Sequence, residues 1–173
     1  MSWYGLAITN YFNFNGRARR KEYWMFYLFA IIISIIAMIL DIALGIDFTY
    51  STFYGQESLY YGPIYTIVAL FHIIPMYSIT VRRLHDSDRT GWWFFGPILA
   101  MLSAVLIFAM MAGMSYSMNI RLLMYIGGII AIVGYIGSIG VLIASFVFMF
   151  FDGTKGDNRF GPSNKYDSEG ELI

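Results

Sequence analysis

Arg82-Arg83-Leu84-His85-Asp86-Ser87-Asp88-Arg89-Thr90-Gly91-Trp92-Trp93 is the one strongly charged interval between two long apolar runs, Tyr61 to Val81 before it and Trp92 to Gly113 after it. It reads as the central loop of a polytopic membrane protein. Working outward, two further runs, Tyr23 to Gly45 and Leu122 to Phe151, complete a set of four. Crossing a hydrocarbon layer takes about 20 apolar residues as helix, and each run is long enough. None alternates with the period of two that a transmembrane barrel strand requires, so helices are expected. The composition agrees: 58% of residues are hydrophobic and only 13% charged, against about 25% charged in soluble domains. The 173 residues suit one domain.

Charge distribution sets the expected orientation. Arg17, Arg19, Arg20 and Lys21 directly precede the first run, and the central interval supplies Arg82, Arg83 and Arg89. The connection Ile46 to Tyr60 has Asp47 and Glu57 but neither Lys nor Arg. With four spans and the N-terminus inside, all but Arg121 of the 11 basic residues fall in the cytoplasm, as the positive-inside rule demands. The aromatic residues Tyr23, Trp24, Trp92 and Trp93 then mark the inner interface, and Tyr60, Tyr61 and Tyr65 the outer one.

The expected architecture is all-α: an integral membrane bundle of four transmembrane helices with both termini cytoplasmic. Its parts are an N-terminal arm with a basic cluster (1–22), a transmembrane domain (23–151; spans 23–45, 61–81, 92–113 and 122–151) and a polar tail (152–173). In the arm, Trp3, Leu6, Tyr11 and Phe14 recur at roughly helical spacing, which suits either a short interfacial helix or an irregular segment. No cleavable signal is expected, because the first apolar run is too long for a signal-peptide core. Along the fourth run, Gly127, Ala131, Gly134, Ser138 and Ser145 make a face of small side chains, on which helices approach closely in lipid. Packing within one chain is the first reading of that face, a homo-oligomer through the fourth helix the second, and a substrate lining the third.

Three blocks resemble a known family when taken together and in order: Phe14-Asn15-Gly16-Arg17-Ala18-Arg19-Arg20-Lys21-Glu22-Tyr23-Trp24, then Arg83-Leu84-His85-Asp86 with Gly91-Trp92-Trp93, then Gly156-Asp157-Asn158-Arg159-Phe160-Gly161-Pro162. The chain is similar to the small bacterial inner-membrane proteins known as domain of unknown function 805. That resemblance implies a multi-pass inner-membrane location and about four helices. It implies no activity, so it carries over no catalytic residue. Between Asp86 and Gly91 this sequence has Ser87-Asp88-Arg89-Thr90, where a smaller or glycine-containing segment is expected.

No catalytic constellation is expected, and no metal site or cofactor. The chain has no cysteine, and His85-Asp86 offers only part of the three or four ligands that a metal needs. A membrane enzyme acting on lipid-linked phosphate would have to use those two residues as acid, base or ligands. Arg82, Arg83 and Arg159 are the candidate ligands for an anion or lipid headgroup, because a guanidinium fork recognises phosphate or carboxylate bidentately. The competing reading is that these charges pair with one another and anchor the helix ends.

Asp41 and His72 are ionisable groups inside apolar runs and hence candidate functional residues. Their different depths rule out direct pairing. Asp41 is expected to be hydrated near the outer end, and His72 to bond a carbonyl freed by Pro75. The expected function is a non-enzymatic module that binds lipid headgroups or a protein partner through a cytoplasmic Arg/Asp/Trp face, with membrane lipids as partners and no nucleic acid. An oligomeric small-solute or ion transporter or channel component is the alternative.

Overall fold

The computed structural model describes residues 2–52 and 55–165. Its elements are α1 (Trp3–Thr9), α2 (Arg20–Leu44), β1 (Thr49–Thr52), β2 (Gly55–Ser58), α3 (Pro63–Asp86), α4 (Trp92–Met118) and α5 (Arg121–Phe148). The four long helices are each long and apolar enough to cross a membrane. The last part of the expected tail, 166–173, lies outside the described residues.

The arm does form a helix: Ser2 caps α1 by accepting from the Gly5 N–H at 3.1 Å. α2 ends at Gly45, whose φ of 64° closes the helix in the left-handed region, and Ile46 N–H returns to Asp41 O at 3.0 Å. The connection that follows is a small antiparallel hairpin, with Thr49 opposite Ser58 and Thr52 opposite Gly55. It hands the chain back to α3, which starts on Pro63 and so loses no intrahelical hydrogen bond to the proline.

α3 runs on to Asp86, so Arg82 to Asp86 are its last turn and not the start of a loop. The physical reason is that the polar residues find partners from the rest of the chain while still helical, as described below. Only Ser87 to Gly91 form the connection. Within it Asp88 takes a φ of 56°, the left-handed conformation in which a glycine would be unstrained.

The helices pair as two hairpins, α2 with α3 and α4 with α5, and α1 lies across the first pair. Along their lengths the two hairpins barely meet. They join at one end, where Ala7, Ala18, Tyr23, Phe26, Ile79, Leu84 and Met149 form the buried core. Within α4–α5 the small-residue face is used internally. A Cβ on Gly127 would lie 2.8 Å from Met111 Cβ, and one on Gly134 would lie 3.4 Å from Ala104 Cβ. Ser145 Oγ bonds Trp93 O across the pair at 2.7 Å. Close approach of this kind replaces the hydrophobic driving force that lipid cannot supply between helices.

Candidate functional site

The three sequence blocks converge at the end where the hairpins join. Arg17, just before α2, donates from Nε to Asp86 Oδ1 at 2.9 Å, and from its two terminal nitrogens to Gly156 O at 2.7 Å and Thr154 O at 2.6 Å. Asp86 is shared: its other oxygen pairs with Arg83, whose side chain is fully buried and also donates to Phe151 O. Arg82 pairs with Glu22 at 2.8 Å, and both are buried. Asn158 Nδ2 donates to His85 O at 2.9 Å and Asn164 Nδ2 to Arg17 O at 2.6 Å, so the segment after α5 is laced over the ends of α2 and α3.

A buried charge is tolerated only when paired and hydrogen-bonded, and this arrangement meets that condition for Arg17, Arg83 and Asp86. Charges around the rim are more exposed. Asp152 bridges Arg20 and Lys165, both at 2.9 Å. The Lys165 hydrogen bond holds the Asp152 carboxyl below the usual carboxylate range, burial opposes this, and Arg20 adds to the lowering. Arg159 pairs with Asp88 at 3.1 Å.

The three arginines singled out as anion ligands therefore have three different situations. Arg83 is spent inside the protein, and Arg159 is tied to Asp88 on the surface. Arg82 differs. Among the described residues only one of its guanidinium nitrogens has a partner, and Nε and Nη2 are buried without one. His85 and Asp86 serve separate partners. The His85 ring stacks on Phe160 with centroids 3.8 Å apart, and its Nδ1 bonds Gly16 O at 3.1 Å.

The two intramembrane candidates are also accounted for. Asp41 is not hydrated: it is fully buried and accepts from the N–H groups of Gly62, Ile64 and Tyr65 at 2.9, 3.0 and 2.8 Å. These are donors that the first turn of any helix leaves unsatisfied, and the positive end of the α3 dipole favours the carboxylate. A Cβ on Gly62 would collide with this arrangement, so the glycine is what admits the carboxylate.

His72 does bond a carbonyl, but the one on Val68, at 2.7 Å from Nδ1. A carbonyl only accepts, so Nδ1 carries the proton and Nε2 accepts from the Tyr4 hydroxyl at 2.8 Å. Burial pushes the Tyr4 hydroxyl's pKa up, which keeps it a donor. The carbonyl that Pro75 deprives of its partner, Phe71 O, takes the Tyr11 hydroxyl at 2.7 Å. The N-terminal arm thus repairs α3 twice, a role that the aromatic spacing alone did not reveal. Ser78, likewise missed, binds the arm through Asn10 O and Asn13 O at 2.9 and 2.7 Å.

Residues 11–162 match the model of the family described as Protein of unknown function (DUF805). The chain is 34% identical to the inner membrane protein YhaH of Escherichia coli strain K12 over 165 residues, covering 95% of this chain and 98% of that one. It is 38% identical to the inner membrane protein YhaI of the same organism over 111 residues, covering 62% of this chain and 83% of that one. No solved structure matches.

Proposed function

We propose, for a chain that belongs to the DUF805 family of proteins of unknown function and is an integral protein of the bacterial inner membrane, that it works as a non-enzymatic module engaging anionic lipid headgroups through its polar end. One observation carries this reading. At the end where most buried charges are paired internally, the side chains of Arg19, Lys21 and Lys155 have no partner among the described residues. Lys21 lies in the first turn of α2, next to Tyr23 and Trp24, at the level where that helix would leave the hydrocarbon. The reading takes this end as cytoplasmic, facing the more anionic leaflet surface, where each Lys or Arg contributes about 1 kcal/mol of attraction.

The test is native mass spectrometry of protein released from nanodiscs of phosphatidylethanolamine and phosphatidylglycerol in equal parts. Wild type should retain phosphatidylglycerol in excess, and Lys21→Gln/Lys155→Gln should lose most of that excess. Equal retention of both lipids by wild type would sink the proposal. The transporter or channel alternative draws less support, because the polar atoms of Asp41 and His72 are all engaged by neighbouring groups.

A further inference from the structure

Beneath α1 lies a cavity of about 540 Å³, bounded by α1, the segment before α2, the last turn of α3 and the chain around Phe160 to Asn164. Its volume falls within the roughly 300–1,000 Å³ of small-molecule sites. Three arginines line it, Arg17, Arg19 and Arg82, against a single carboxylate, Glu22. Arg17 has its donors filled by Asp86, Thr154 and Gly156. The Arg19 guanidinium has no partner among the described residues. Arg82 is 4% exposed, gives one nitrogen to Glu22 and leaves two without an acceptor.

A buried guanidinium N–H with no acceptor is costly, and such orphans call for an explanation. Every other arginine engaged at this end has found carbonyls or carboxylates. Glu22 meets only one edge of the Arg82 fork, and Arg82 also lines the cavity, so a further acceptor seated there would lie beside the fork. Around the cavity stand the side-chain amide of Asn15, exposed and without a partner among the described residues, and the rings of Trp3 and Phe160 as an apolar wall. Cationic forks, amide donors and an apolar flank together suit a tetrahedral oxyanion carrying an organic substituent.

We infer that the Arg82–Arg19 cavity is a stoichiometric binding site for a phosphate group, supplied either by a phospholipid headgroup or by a free phosphate. This deepens the lipid-binding reading and rests on it for the lipid source alone. Arg82 and Arg19 hold the phosphate oxygens, and Asn15 donates from the exposed wall of the cavity.

The experiment is native mass spectrometry of the full chain, first from the nanodiscs above and then after detergent delipidation with added inorganic phosphate. Three variants are compared. Arg82→Lys keeps a positive charge opposite Glu22 but removes the fork. Asn15→Asp places a carboxylate on the exposed wall and touches no buried contact, so it remains informative if Arg82→Lys folds poorly. Lys21→Gln/Lys155→Gln alters only the rim.

Wild type and the rim variant should both hold one phosphorus-containing adduct per chain, and its mass says which source it is: a phospholipid, or inorganic phosphate. Occupancy should fall at least tenfold in Asn15→Asp and in Arg82→Lys. A wild-type chain with no such adduct overturns the inference, as does an adduct that survives in Asn15→Asp, or one lost in the rim variant. In each of those cases an excess of phosphatidylglycerol on wild type would leave the broader lipid reading standing. Absence of that excess with the single adduct intact would do the reverse, and the mass of the adduct would still name its source.

Discussion

Asp86→Asn removes one charge, changes the side-chain volume hardly at all, and strikes the point where three parts of the chain are tied. The carboxylate stands between Arg17 and Arg83, whose side chains are 1% and 0% exposed, and is itself 12% exposed. Removing one member of a buried ion pair costs about 3–5 kcal/mol, because the surviving charge stays buried. Two cations survive here, but Arg17 keeps Thr154 O and Gly156 O, and Arg83 keeps Phe151 O. The lower limit, about 3 kcal/mol, is therefore the expected cost. At about 1.36 kcal/mol per decade, that is roughly two decades in the unfolding equilibrium.

The natural control is Asp152→Asn. Asp152 and Arg20 are each 45% exposed, and such pairs contribute at most about 1 kcal/mol. The assay is unfolding in mixed micelles by added SDS, followed by tryptophan fluorescence, since Trp24 packs on Phe150 and Trp93 on Phe148 beside the junction. Hydrogen exchange of residues 154–158 would show whether the segment after α5 comes loose. An Asp86→Asn midpoint no lower than that of Asp152→Asn would refute the account of a charge network holding the hairpins together.

Three further outcomes follow from the geometry. Asp41→Ala should lower the melting temperature more than Asp47→Ala and speed exchange of the Ile64 and Tyr65 amides, since those N–H groups lose their acceptor; unchanged exchange would remove the capping role. Gly127→Val should force α4 and α5 apart at a cost of about 1–3 kcal/mol, while Gly137→Val, at a position with no neighbour within 4 Å, should be tolerated; equal effects would contradict the packing described. The Asp152 carboxyl is held below its ordinary range, chiefly by Lys165, so its contribution is complete above that range and disappears as the pH falls below it. Hydrogen exchange around Asp152 should rise only in strong acid, and Lys165→Gln should move that rise to higher pH.

The spans and the meeting of the three blocks were legible in the sequence because both depend on one-dimensional properties: apolar length, and the side on which charges fall. Residues 82–86 were misread as loop because their charge argues against continuing a membrane helix. What allows it to continue is partners 65 to 70 residues away, such as Ala18 for Arg83 and Arg17 for Asp86. Asp41 was misread for a similar reason. Its three donors come from a helix start that a hairpin folds back onto it, and no local pattern encodes that return. For His72 the sequence pointed to the carbonyl freed by Pro75, but that carbonyl takes Tyr11 and the histidine bonds Val68 O and Tyr4, because both tyrosines depend on where the N-terminal arm docks. The contrast between Arg82 and Arg83 is the least readable of all. Adjacent and chemically identical, they leave α3 about 100° apart, one meeting the protein's own carbonyls and the other lining a cavity.

The lacing of residues 154–164 over the ends of α2 and α3 has a bearing on biosynthesis. Arg17 and Asp86 are made early and can enter the membrane surface with their hairpin, but the carbonyls of Thr154 and Gly156 exist only once the fourth span has been translated. The first hairpin must wait, its arginine half-satisfied, until residues 154–156 have emerged. A ribosome stalled after the fourth span would release a protein with every crossing in place and its fastening undone. Translation of residues 154–156 is thereby a condition for closing the fold.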